Sequence, residues 1–84
     1  MMEKTMTVQL TGGLQARPIA LLVQVASKHE SSVYIESNGK KVNAKSIMGM
    51  MSLTLDNGES LKVIADGKDE AAAVQDIEKY LSGN

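Results

Sequence analysis

Gly12-Gly13-Leu14-Gln15-Ala16-Arg17-Pro18 is the stretch on which the chain turns. Two glycines permit a tight backbone approach that a side chain would block. Proline at the start of an apolar-periodic run suits the first turn of a helix, where its missing N–H is no loss. The stretch therefore reads as a strand end, a turn and a helix N-terminus. The backbone N–H groups at such an end, together with the positive pole of the helix dipole, would seat a phosphate or a carboxylate, and Arg17 would add a cation. No nucleophile stands there. Gln15 is a neutral amide with no basic lone pair to take up and release a phosphoryl group.

Upstream of this turn, Met6, Val8 and Leu10 alternate with Thr7, Gln9 and Thr11, the period of a strand with one buried face. Downstream, Ile19, Leu22, Val23 and Ala26 recur at helical spacing from Ala16 to about Lys28. Leu21 and Val25 make this helix more apolar than one core face requires. Ala20 and Leu21 are then either ordinary surface or core residues, or the rim of a contact surface.

The rest of the chain follows from turn chemistry. Ser32 to Ser37 reads as a strand with Val33 and Ile35 on one face and Tyr34 and Glu36 on the other. Asn38-Gly39 marks a tight hairpin, because both residues tolerate positive φ. Lys40 to Ala44 returns antiparallel, with Val42 and Ala44 inward. Lys45 to Leu53 reads as a short helix capped by Ser46, too short to persist without packing. Asp56-Asn57-Gly58 is a turn before a strand carrying Leu61, Val63 and Ala65, which stops at Asp66-Gly67. Asp69 then caps a last helix with the face Ala73, Val74, Ile77, Tyr80 and Leu81, and Gly83 falls just past its end. With the last strand inserted between the first two, both crossovers can be right-handed. The expected fold is α+β: an open-faced sandwich of βαββαβα order, its four-stranded antiparallel sheet covered on one face by three helices.

At 84 residues the chain is expected to form one domain, 1–84, with a single core. The only aromatic residues are two tyrosines, so the core must be aliphatic and stacking on bases is poorly supplied. Nine basic against ten acidic residues give a net charge of −1, no overall footprint for nucleic acid or an anionic membrane. The absence of cysteine excludes disulfides, thiolate catalysis and cysteine metal sites. Met1-Met2-Glu3-Lys4 leads into an alternating segment and not into an apolar signal core, and no run approaches the roughly 18 apolar residues of a membrane span. The expected address is the cytoplasm.

Few residues are candidates for chemistry. His29, the only histidine, falls near the end of the first helix and reads as an exposed helix-end residue. With no second histidine and no cysteine, a metal site or a nucleophile–base pair lacks parts. The carboxylates show no inward pair, so no catalytic residue and no cofactor are assigned. Ser46 is either a helix cap worth about 1 kcal/mol or a phosphorylation site, since a phosphate of roughly −1.5 to −2 charge at a helix head leaves the helix intact. Lys40, Lys41 and Lys45 lie close by in sequence, either softening that charge or simply solvated. Among the methionines that follow, Met50 is the core candidate, whereas Met48 and Met51 are candidates for an adaptable docking surface.

Two motifs together go further than periodicity. Gly13-Leu14-Gln15-Ala16-Arg17-Pro18, followed at the right separation by Asn43-Ala44-Lys45-Ser46-Ile47-Met48-Gly49, resembles the HPr family of phosphocarriers of the sugar phosphotransferase system, and the similarity covers essentially the whole chain. In that family the position of Gln15 holds the phosphate-carrying histidine. Glutamine there marks the family's catabolite-repression branch. The resemblance implies a non-enzymatic regulator in which Ser46 is phosphorylated by HPr kinase/phosphorylase and the phosphoprotein acts as corepressor of CcpA, a LacI-type transcription regulator, without touching DNA. Arg17, Ala20, Gln24, Ile47, Met48 and Met51 match partner-facing positions. The alternatives are a phosphocarrier that has lost its histidine and an HPr-like module that binds a metabolic enzyme. The terminal position of the first strand, followed by the Gly-Gly hinge, leaves strand exchange into a homodimer open.

Overall fold

Alternation and helical spacing resolve into seven elements: β1 (Met2–Thr7), α1 (Ala16–Ser27), β2 (Ser32–Ser37), β3 (Lys40–Asn43), α2 (Ile47–Met51), β4 (Ser60–Asp66) and α3 (Glu70–Leu81). The structure, a computed structural model, describes residues 1–83. The strands form one antiparallel sheet in the order β1-β4-β2-β3, so β4 inserts between β1 and β2, the arrangement in which both crossovers can be right-handed. Register places Met6 opposite Leu61 and sets Ile35 between Val63 and Val42. These rows present one apolar face to the helices. The β2–β3 hairpin turns through Asn38 at φ 54° and Gly39 at φ 77°, the left-handed pair its sequence demands.

The helices bury their apolar stripes on that face. Helix α1 buries Ile19, Leu22, Val23 and Ala26, α3 buries Ala73, Val74, Ile77 and Leu81, and α2 contributes Met50. They meet Val33, Ile35, Leu61, Val63 and Ala65 of the sheet in a core with no fully buried ring. Tyr80 lies half-buried at its edge, where its hydroxyl donates to the Pro18 carbonyl at 2.9 Å and ties the end of α3 to the start of α1. Among the described residues no helix is long and apolar enough to cross a membrane.

Three local readings need correction. The first strand pairs from Met2 to Thr7, not from Met6 onward. Residues 2–5 are exposed at the sheet edge, so no buried-face alternation announces them, and backbone pairing alone extends the strand. Beyond Thr7 the chain leaves the ladder. The Val8 N–H donates to the Glu59 carbonyl at 2.9 Å and the Gln9 N–H to the Leu81 carbonyl at 2.8 Å, while Met6 and Val8 still point inward as the alternation predicts. Asp69 precedes α3 as expected, yet its carboxylate makes no cap bond and accepts instead from Ser31 and its neighbours. His29 is the third case. Its side chain is only 11% exposed because both ring nitrogens meet carboxylates near or on α3, Asp69 at 3.2 Å and Asp76 at 2.8 Å.

Candidate functional site

The head of α1 is built on one close backbone approach. Gly12 and Gly13 both have positive φ, 84° and 78°, and a Cβ on Gly13 would fall 2.6 Å from the Leu55 carbonyl oxygen. Leu14 can therefore pair with Leu55. Its N–H donates to the Leu55 carbonyl at 2.6 Å, and the Leu55 N–H returns to the Leu14 carbonyl at 3.3 Å. With Leu14 and Leu55 buried, the next residue is carried outward. Gln15 is extended and exposed at the N-cap, and its carbonyl accepts the Ile19 N–H at 2.8 Å while its side chain makes no cap bond. Arg17 stands exposed in the first turn of the helix.

Ser46 heads α2. Its Oγ accepts the Gly49 N–H at 3.2 Å and its carbonyl accepts the Met50 N–H at 2.9 Å, so the hydroxyl is a helix cap as its position predicts. The turn that delivers it is fixed by the Asn43 carboxamide, whose Oδ1 accepts the Lys45 N–H at 2.9 Å, and by the Asn43 carbonyl, which accepts the Ser46 N–H at 3.1 Å. Ser46 is half-buried. The three nearby lysines each have other partners. Lys40 Nζ donates to the Ser52 carbonyl at the end of α2 at 3.3 Å, Lys41 Nζ lies 4.9 Å from the centre of the Tyr34 ring, and Lys45 Nζ donates to the His29 carbonyl at 2.6 Å.

Helix α2 packs on α1, and the two together carry an apolar surface. Met48 is 87% exposed and Met50 fully buried, which divides the methionines as their spacing indicates. Ile47, Met51 and Leu21 are also exposed. Among the described residues, every exposed large apolar side chain outside the first two residues lies on α1 or α2. On α1, Arg17, Ala20, Leu21 and Gln24 fall at i, i+3, i+4 and i+7, one helix face. Of these Ala20 is half-buried and the others exposed. The arrangement sets a half-buried hydroxyl at the head of a helix that carries exposed thioethers. Among the described residues, no group of three or more histidine, cysteine or carboxylate side chains is placed to hold a metal ion.

Sequence reasoning missed the cluster behind this surface. Asp69 accepts from the Ser31 hydroxyl, from the backbone N–H groups of Glu30 and Ser31, and from His29. These donors, the Ser31 hydroxyl foremost, hold its carboxyl well below the usual carboxylate range against the opposing effect of desolvation. The available signal was the seven-residue interval between Asp69, at the head of the last helix, and Asp76 within it, about two turns, which brings both to one side.

The element order and sheet topology define a βαββαβα open-faced sandwich, and comparison with known proteins agrees. Residues 2–82 match the family described as the PTS HPr component phosphorylation site, and the chain belongs to the HPr family. Within it the chain is Crh-like. It is 48% identical over 81 residues to the HPr-like protein Crh of Bacillus subtilis, covering 96% of this chain and 95% of that one. The solved structure of Bacillus subtilis Crh, described as a dimer with a swapped domain, is similar with a TM-score of 0.75 at 48% identity over 96% of this chain and 93% of that one. The crystal structure of the phosphocarrier HPr of Bacillus anthracis superposes with a TM-score of 0.91 at 42% identity over 95% of each chain.

Proposed function

We propose that this protein is a regulatory, non-enzymatic member of the HPr family acting in carbon catabolite repression. HPr kinase/phosphorylase transfers the γ-phosphoryl group of ATP to Ser46 Oγ, and the phosphoserine form docks on CcpA as corepressor. The observation that carries the reading is a contrast between two helix heads. Ser46 presents a hydroxyl beside exposed Ile47, Met48 and Met51, whereas Gln15 occupies the head of α1 with an amide. A phosphocarrier needs a nitrogen that is nucleophilic at neutral pH and forms a labile phosphoramidate, which imidazole supplies and a carboxamide does not. A phosphoryl ester on Ser46 adds roughly −1.5 to −2 charge at the end of α2 where negative charge is favoured. The modification therefore changes the surface while the fold persists. Arg17, Ala20 and Gln24 on α1 and the three apolar residues of α2 form the CcpA-facing surface in this reading.

The test is intact-mass analysis after incubation with HPr kinase/phosphorylase and ATP, beside a reaction with enzyme I and phosphoenolpyruvate. One phosphate from the kinase, lost in Ser46→Ala, and none from enzyme I is the expected outcome. Labelling of Ser46→Ala, or of the native chain by enzyme I, would overturn it. A homodimer formed by exchange of β1 is compatible with the same reading, since β1 lies at the sheet edge and leads into the Gly12-Gly13 turn. Sedimentation velocity across a concentration series would reveal it.

A further inference from the structure

The regulatory serine is connected to a partly exposed charge cluster around His29 that the function above does not use. Lys45, one residue before Ser46, reaches across to α1 and donates from Nζ to the His29 carbonyl at 2.6 Å. The contact is partly buried, so this lysine is an anchor for the Ser46 turn and not a freely solvated charge. His29 is itself anchored through its ring, with Nδ1 3.2 Å from Asp69 and Nε2 2.8 Å from Asp76. Ionised carboxylates only accept hydrogen bonds, so an imidazole satisfies both at once only with a proton on each nitrogen. A neutral ring carries one proton. It would turn a lone pair toward one of the two carboxylates and give up that contact.

We propose that His29 is a proton-dependent positioning residue for Ser46: as imidazolium it clamps the end of α1 to Asp69 and Asp76, and through its carbonyl and Lys45 it holds the Ser46 turn. This deepens the reading of Ser46 as the regulated residue and rests on it for its biological meaning, though not for its test. The charged groups around the ring come from every side. Asp69 and Asp76 face it from the turn before α3 and from α3, Lys45 approaches its carbonyl from the turn before α2, and Lys28 and Glu30 flank it in sequence. Asp69 is already committed to Ser31 and to the Glu30 and Ser31 N–H groups, so it cannot follow the ring if the ring moves. Asp76 lies on the more exposed side and is the contact that opens first. Loss of the ring proton, which leaves one of the two carboxylates facing a lone pair, then loosens the end of α1 and the lysine anchored on it.

The experiment is amide hydrogen exchange followed by NMR on the full chain, without any kinase, from pH 5.5 to 8.5, with rates corrected for base catalysis. Protection at the Lys45 and Gly49 amides, which bond to Asn43 Oδ1 and Ser46 Oγ, is expected to fall about tenfold across that range, the scale of one charge-assisted hydrogen bond. In His29→Gln, whose side chain does not titrate, and in Asp76→Asn, which spares the more buried contact, the pH dependence should disappear or shrink while the spectrum stays folded. Constant protection in the native chain, or an unchanged fall in His29→Gln, would overturn the proposal. Because no kinase is present, failure of Ser46 phosphorylation would count against the function and not against this clamp.

Discussion

Replacing Gly13 by alanine should damage the protein far more than replacing Gly12, although the two residues adjoin and share a left-handed backbone. At both positions an L side chain meets the same intrinsic penalty of about 1–2 kcal/mol, partly offset by the stiffer unfolded chain of alanine, about 0.4–1 kcal/mol. For Gly12 nothing else is expected, since a Cβ there meets no atom within 4 Å. Its net cost should be about 1 kcal/mol. At Gly13 the added carbon would sit 2.6 Å from the Leu55 carbonyl oxygen, 3.0 Å from Asp56 Cα and 3.1 Å from the Asn57 nitrogen. All three are backbone atoms, so no side chain can rotate away. The segment has to shift by several tenths of an ångström, which strains or breaks the two hydrogen bonds between Leu14 and Leu55. At about 0.5–1.5 kcal/mol each, they add about 1–3 kcal/mol. Gly13→Ala should therefore cost about 2–4 kcal/mol, against a total stability on the order of 4–13 kcal/mol for a domain of this size.

Urea denaturation followed by far-ultraviolet circular dichroism measures both variants directly. With a slope of about 1 kcal/mol per molar, the Gly13→Ala midpoint should fall by about 2–4 M and that of Gly12→Ala by about 1 M. Equal losses in the two variants would refute the close approach as the reason for the Gly-Gly pair. A larger loss at Gly12 would mean that the turn is wrongly described.

The remaining expectations concern the two faces of α2, the acid limb and the tyrosine tie. Met50→Ala should cost about 2–5 kcal/mol through the cavity it leaves, whereas Met48→Ala, two residues away and exposed, should stay within about 0.5 kcal/mol of the native chain; thermal unfolding of both settles the division. Asp69 has a depressed folded pKa, so its contribution to stability is complete above the ordinary carboxylate range near pH 4 and is lost as pH falls further. Acid titration of stability should therefore be steep below about pH 4 in the native chain and flatter in Asp69→Asn; parallel curves would exclude Asp69 as a source of that steepness. Tyr80→Phe removes the donor to the Pro18 carbonyl and should cost about 0.5–1.5 kcal/mol, with amide shift changes concentrated at residues 15–19 in the NMR spectrum.

What could be read from the sequence was local, and what could not was assembled from distant residues. The Asn38-Gly39 turn, the Ser46 cap, the stripe of α1 and the split between Met50 and Met48 each depend on neighbours within a few positions, and each is in place. The position of β4 followed from connection rules once the element order was known. Residues 2–5 gave no signal because an exposed edge strand buries nothing. His29 was misread because its partners lie 40 and 47 residues away, and no window of sequence joins them. Asp69 was assigned the commonest role of its position, but a Ser31 hydroxyl and two backbone N–H groups from another segment took its carboxylate instead.

That substitution of partners bears on how one fold serves both transport and regulation. The scaffold presents two helix heads, α1 with Gln15 and α2 with Ser46, and they are held by separate devices. The first depends on a glycine, the Leu14–Leu55 pair and the Tyr80 tie; the second depends on Asn43 and the reach of Lys45 to the end of α1. An exposed side chain at position 15 contributes nothing to either device. Exchange between imidazole and carboxamide there should thus leave stability within about 0.5 kcal/mol, while deciding whether the head of α1 can carry a phosphoryl group. With Ser46 as the kinase target proposed above, a stable Gln15→His chain that gains labelling from enzyme I and is still labelled at Ser46 would show the two heads to be independent. Loss of Ser46 labelling in that folded variant would show that they are coupled through the α1–α2 contact, so that the side chain at position 15 reaches the head of α2.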